Sequence, residues 1–374
     1  MTGCSRNRKE DFGVLGGMSR CFSVTAAALV ALVALAGCGS SKAAASGPSP
    51  TALSPSAATN PPSSPASAPP SPPAAGPIDV QDVSFVSASQ GWALGGGELV
   101  TTTDGGASWT RRPDPPAGAA HIRFASPEVG YAWSAAGSLW ITTDGAASWH
   151  PGGLTQVVSL ETAAGLVWSL AGPQPYPNIR RAPVGSTAWT NLGPTPDRSA
   201  TLTVHGDVAY VVGQQGAGPI APSLDVFAGT QPVRHESLPC VQGQTYVPLV
   251  ALGASTDGLV YLVCDAMNNQ PSPPTQTQLA YESVSAGSSW SAAKPAPPQP
   301  PQGVTAVAGG RFAWNTGPDL YQLTGSGWHV SLTDPGHGFS LVGFETDTQG
   351  VALGTNGELW ITRNGGASWS RVTV

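Results

Sequence analysis

Few residues of this chain could do chemistry, and they stand singly inside short alternating runs. Only 10% of the 374 residues are charged. Arg123 sits in His121-Ile122-Arg123-Phe124, Glu161 in Ser159-Leu160-Glu161-Thr162, and His205 follows Thr203-Val204. An arginine beside carboxylates can hold a charged group, and two carboxylates about 5–9.5 Å apart can hydrolyse a glycoside. Asp82, Glu161 and Asp207 are too scattered along the chain to nominate such a pair, so no catalytic residue is assigned. The six histidines show no ligand spacing, and HExxH, GxSxG and CxxC are missing. Gly95-Gly96-Gly97 has neither the helix nor the lysine of a phosphate cradle. No metal and no cofactor are expected. Arg123, His121, Glu161 and His205 remain as candidate binding residues, because each falls on a segment that reads as the innermost strand of its repeat.

The elements that would position them are set by that repeat. Thr102-Thr103-Asp104-Gly105-Gly106-Ala107-Ser108-Trp109 returns as Thr142 to Trp149 and as Thr362 to Trp369. Each copy has turn chemistry: a side chain that can bond its own backbone, then glycines that accept positive φ. Phe85, Phe124 and Phe344 each stand six residues before Gly91, Gly130 and Gly350. Between the marks lie alternating runs such as Glu98-Leu99-Val100-Thr101, which read as half-buried strands. Trp109, Trp149 and Trp189 are 40 apart; Trp290, Trp328 and Trp369 follow at 38 and 41, and the gap of 101 from Trp189 to Trp290 holds one further unit without its Trp. Units starting near Val83, Ile122, Val157, Leu202, Leu249, Val304 and Leu341 make seven. Seven four-stranded units of roughly 40 residues predict an all-β fold, a seven-bladed β-propeller over residues 78–374.

The turns resemble the Asp-box, or bacterial neuraminidase repeat, and the wider unit is similar to the photosystem II stability and assembly factor-like propellers. The resemblance covers residues 79–374, with Ser108, Ser148 and Ser368 for the usual Thr, Ala146 for a glycine and Asn364 for Asp. It implies a structural role for Asp104, Asp144 and Asn364, which tie the turn, and for Trp109, Trp149 and Trp369, which pack between blades. It does not choose a function, because the same box serves glycosidases and assembly factors. A sialidase of this kind would need three converging arginines and a Tyr–Glu pair; the Arg-Ile-Pro signature is missing, and Arg111 and Arg112 should face solvent. Arg180-Arg181 reads as a solvated edge.

The N-terminus reads as an address. Arg6, Arg8, Lys9 and Arg20 precede an apolar run, Phe22 to Ala36, too short to span a bilayer. It ends in Leu35-Ala36-Gly37-Cys38, which resembles a bacterial lipobox. That resemblance implies a signal peptide over 1–37, with Met1 or Met18 as its start, and lipidation of Cys38. Gly39 to Pro77 is almost wholly Pro, Ser, Ala, Gly and Thr, so residues 38–77 should be a disordered linker. Four basic and two acidic residues precede Cys38, leaving 12 Lys/Arg against 20 Asp/Glu, which argues against nucleic acid. Cys4 and Cys21 would leave with the signal. Cys240 and Cys264 should bridge in an exported compartment, with Cys264 ending the second strand of unit five. The expectation is a monomeric lipoprotein on the outer face of the cytoplasmic membrane. Its non-catalytic propeller would bind a protein or polysaccharide of the envelope; a sialidase-like or other glycoside hydrolase is the alternative. The loop Ala266 to Gln276 is a candidate binding rim.

Overall fold

The computed structural model describes residues 77–195, 199–214, 223–228, 231–241, 246–255, 258–268, 275–292, 296–298, 303–307, 310–314 and 317–374. The signal segment, Cys38 and the linker therefore lie outside the described residues. Among those described, the chain forms seven four-stranded antiparallel sheets, each built from consecutive strands. This is the predicted seven-bladed propeller, and each predicted unit start lies on the first strand of its own sheet. The unit between Trp189 and Trp290 is present, with strands Ser199–His205, Val208–Gln214, Ser223–Ala228 and Gln231–Ser237.

The first strands contact one another in succession from blade one to blade seven, and each is therefore the innermost of its blade. Seven buried apolar clusters hold the ring, one in every seam between neighbouring blades. The seam of blades seven and one gathers Val83, Phe85 and Trp109 from one side and Leu353, Leu359 and Ile361 from the other. The Ile78 amide also donates to the Val374 carbonyl at 2.8 Å, joining the two ends of the ring. Each sheet is apolar on both faces, so a blade alone could not shield itself from water.

The repeated turn explains its own sequence. The Thr102 hydroxyl donates to Asp104 Oδ1 (2.7 Å) and accepts from the Gly106 amide (2.8 Å); Asp104 Oδ1 also accepts from the Ser108 amide (2.9 Å). Thr142, Asp144 and Ser148 repeat this network, as do Thr362, Asn364 and Ser368. Two successive left-handed residues close each turn, Gly105 and Gly106 in blade one. Ala146 takes the second place in blade two at φ 69°, its methyl buried in the seam of blades one and two. Blade five keeps the turn with serines: Ser283 Oγ accepts from the Gly287 amide at 2.8 Å and Ser285 Oγ from the Ser289 amide at 3.0 Å. The paired Phe and Gly are explained too. A Cβ on Gly91 or Gly350 would lie 2.6 Å from the ring of Phe85 or Phe344, because that ring lies flat on the opposing strand. Blade six reverses the device, with Gly303 beneath Trp314.

Four sequence expectations need correction. Cys264 does not end its strand; Val260–Asn268 runs four residues past it, pairing through Asn268 with Thr275. The candidate loop Ala266 to Gln276 therefore shrinks to residues 269–274, which lie outside the described residues. Arg112 does not point to solvent: Nη2 donates to the Gly145 carbonyl of the next blade at 2.6 Å. Arg181 is no solvated edge residue, because Asn178–Pro183 is the third strand and a fourth covers it. The alternation turns Arg181 into the protein, 8% exposed, with its guanidinium 5.3 Å over the Trp168 ring.

Candidate binding site in the central channel

Innermost strands have one unpaired edge, and an exposed row of amides and carbonyls must be satisfied or hidden. Side chains from the neighbouring blade do this here. Asp82 Oδ2 accepts from the Ile122 amide (3.0 Å), and Ser84 Oγ accepts from the Phe124 amide (2.9 Å). Thr203 Oγ1 donates to the Leu252 carbonyl at 3.3 Å in the same manner. Asp82, 6% exposed, is thus held by the fold rather than offered to a ligand.

The channel between the strands is a cavity of about 970 Å³, and every first strand contributes to its wall. Arg123 and Glu161 meet there across the seam of blades two and three, Nη2 to Oε1 3.1 Å apart. Their side chains keep 27% and 32% of their surface exposed, so the pair is wet and contributes more to shape and charge than to stability. Partial burial pushes the Glu161 carboxyl above its ordinary range, Arg123 pulling it back and Asp82 pushing it further. Glu161 in turn holds Arg123 above the usual arginine range. Glu345, directly after the innermost strand of blade seven (Phe339–Phe344), lines the same cavity. Its surface still meets solvent at the mouth, yet crowding by protein raises its carboxyl, with Arg123 opposing and Glu161 adding. Among the described residues lining the cavity, three carboxylates (Glu161, Glu345 and Asp347) face one arginine. That lining gives no three-arginine clamp, and no cluster suited to a metal ion occurs among the described residues.

Of the candidate residues, Arg123, Glu161 and His205 line the cavity. His121 does not: its ring stacks on Trp133 at 5.0 Å, and its Nδ1 lies 3.5 Å from Asp82 Oδ2. Asp82 and Glu161, read from the sequence as scattered, both act on Arg123, because neighbouring blades bring equivalent strand positions together. Glu345 was missed. Its signal lies in the repeat itself, since blades one and two hold Val86 and Ala125 at the same place after the phenylalanine. Cys240 and Cys264 are bonded, Cα to Cα 5.6 Å, tying the link between blades four and five to the second strand of blade five. Trp109, Trp149 and Trp369 pack edge-on against Phe85, Phe124 and Phe344 at 6.0–6.3 Å, in the seams.

No family model matches the chain, and neither does any curated protein sequence. Solved structures do match in fold. YCF48 bound to D1 peptide aligns over 78% of this chain and 95% of that one, at 17% identity and TM-score 0.54. The WD40 β-propeller domain of Doa1 aligns over 77% and 94%, at 11% identity and TM-score 0.52. The tricorn protease aligns over 79% of this chain and 36% of its own, at 8% identity and TM-score 0.55. At such identities the likeness establishes architecture alone, and in architecture the chain is a β-propeller.

Proposed function

We propose that this chain is an exported lipoprotein, anchored through Cys38 to the outer face of the cytoplasmic membrane, whose propeller binds a protein of the cell envelope without catalysis. The observation that carries the binding reading is the channel: a cavity of about 970 Å³ with charged groups held on rigid strands at its wall. Preformed concave sites with a few placed polar groups are where propeller-like scaffolds take ligands. Protein is favoured over glycan because most tryptophans are committed to the seams: Trp92, Trp109, Trp133 and Trp168 are buried, and Trp314, the one tryptophan among the described residues lining the cavity, packs against the seam of blades six and seven. The structure of YCF48 with a D1 peptide supports the same use of this fold. The anchor rests on Leu35-Ala36-Gly37-Cys38 and the apolar run before it.

The test is crosslinking and affinity capture of the full-length chain from membranes, with Cys38→Ser as the unanchored control. The expected result is one enriched envelope protein, with the Cys38→Ser chain released from the membrane fraction. Capture of no protein would count against the reading.

One observation favours the glycosidase alternative, namely two carboxyls, Glu161 and Glu345, raised above their ordinary range in one cavity. Turnover of a glycoside panel that is lost in Glu161→Gln would establish it; no turnover would leave the channel a binding site.

A further inference from the structure

Blade seven buries without a partner an amide whose counterpart in blade one is hydrogen-bonded. Gln90 and Gln349 stand at the same place, directly before Gly91 and Gly350. In blade one the Gln90 Nε2 donates to Thr101 Oγ1 at 3.1 Å. In blade seven the residue in the place of Thr101 is Ile361, which is buried and cannot accept. Gln349 is 2% exposed, and neither its Nε2 nor its Oε1 has a hydrogen-bond partner. Burying both ends of an amide unpaired is costly, and such groups in a native fold call for an explanation. Gln349 lines the channel cavity, which here reaches past the innermost strand to Gly350 and Val351 of the second.

The surroundings define what the amide could meet. Glu345, Thr346 and Asp347 form the turn beside it and line the same cavity. The arginine of the lining, Arg123, is already bonded to Glu161, which leaves the Glu345 carboxylate at the mouth without a bonded cation among the described residues. A primary amide whose NH2 and carbonyl are both unpaired can donate to a peptide carbonyl and accept from a peptide N–H. A carboxylate at a partly dry mouth matches an ammonium or guanidinium.

We propose that the channel mouth at the seam of blades seven and one binds an extended peptide segment bearing a lysine or arginine side chain. Gln349 pairs with the peptide main chain and Glu345 receives the cation. This deepens the protein-binding reading above and rests on it.

The test is calorimetric titration of the full-length chain in detergent with three probes: acetyl-Ala-Ala-Lys-Ala-Ala-amide, its glutamate counterpart, and n-butylammonium. The lysine peptide should bind at least about tenfold more tightly than the glutamate peptide, and Glu345→Gln should weaken it about tenfold, the worth of one charge-assisted hydrogen bond. Gln349→Leu should weaken the lysine peptide severalfold and leave butylammonium unchanged. Its melting temperature should hold or rise, since an unpaired amide leaves the seam, which separates lost recognition from lost folding. Equal binding of the two peptides, no binding of either, or an unaltered affinity in Gln349→Leu would each overturn the proposal. If membrane capture of a partner survives in the Glu345→Gln, Gln349→Leu double variant, this site falls while the protein-binding function stands. If capture from wild type fails too, both fall.

Discussion

Blades seven, one and two hold their seams by a repeated turn, whereas the seam of blades four and five adds a covalent bond. In the first arc, Thr, Asp or Asn, and Ser close a turn whose Trp packs edge-on against a Phe from the innermost strand. Arginines then lock turn to turn: Arg112 reaches the Gly145 carbonyl, and Arg363 Nη2 reaches the Gly105 carbonyl at 2.6 Å. In the second arc, blade four has no Trp of its own, and the first three strands of blades four and five run six to nine residues where those of blade one run four or five. There the Cys240–Cys264 bond lies within the apolar cluster that Trp290 flanks. One fold is thus secured in two ways, by reuse of a local motif and by a single crosslink. Only the first leaves a repeat in the sequence.

The largest effect should come from Trp109→Ala, which opens the seam where the ring closes. Truncating a buried tryptophan typically costs about 4 kcal/mol, and denaturant unfolding should show it. The same change at Trp290 should cost less, because the disulfide still holds that arc; equal losses would erase the distinction. Next is removal of the bond by Cys240→Ser with Cys264→Ser. Closing a loop with a sequence separation of 24 is worth about 3 kcal/mol in the chain-entropy account. Reducing agent should therefore lower the melting temperature of the wild type and leave the double variant unmoved. Gly91→Ala should follow, since its methyl would press into the Phe85 ring, an overpacking of about 1–3 kcal/mol. The smallest effect separates the turns by pH. Hydrogen bonds from Ser108 and Ser148 lower Asp104 and Asp144 from 3.8 to about 2. A carboxyl depressed in the folded state stabilises the fold above its unfolded pKa, and that contribution fades as pH falls from about 4 toward 2. Asn364 cannot titrate, and its Nδ2 donates to Ser368 Oγ instead. Asp104→Asn with Asp144→Asn should flatten the acid limb of the melting curve, and an unchanged slope would refute this assignment.

The fold was legible because its signals are local. Tryptophan spacing counts the blades, and the turn occupies eight consecutive residues. Arg123 and Glu161 were legible as polar residues inside innermost strands. Glu345 was marked only by its place in the repeat, where blades one and two hold Val86 and Ala125; Gln349 was marked by nothing local, because ring closure sets blade seven beside blade one. Arg181 misled for another reason. A charged side chain reads as solvated unless the fourth strand and the Trp168 ring that cover it are known. The length of the blade-five hairpin was also hidden, since Asn268 and Thr275 look like loop residues until their pairing is seen.

The channel mouth, and not the outer rim, should meet the partner. A photocrosslinking amino acid placed at Thr346, at the mouth, or at Val330, exposed on the outermost strand of blade six, tests it directly in membranes. One discrete crosslinked protein should form from Thr346 and none from Val330, and the product should be lost when the blocked lysine peptide is added. Equal products from both positions, or a product from Val330 alone, would contradict it.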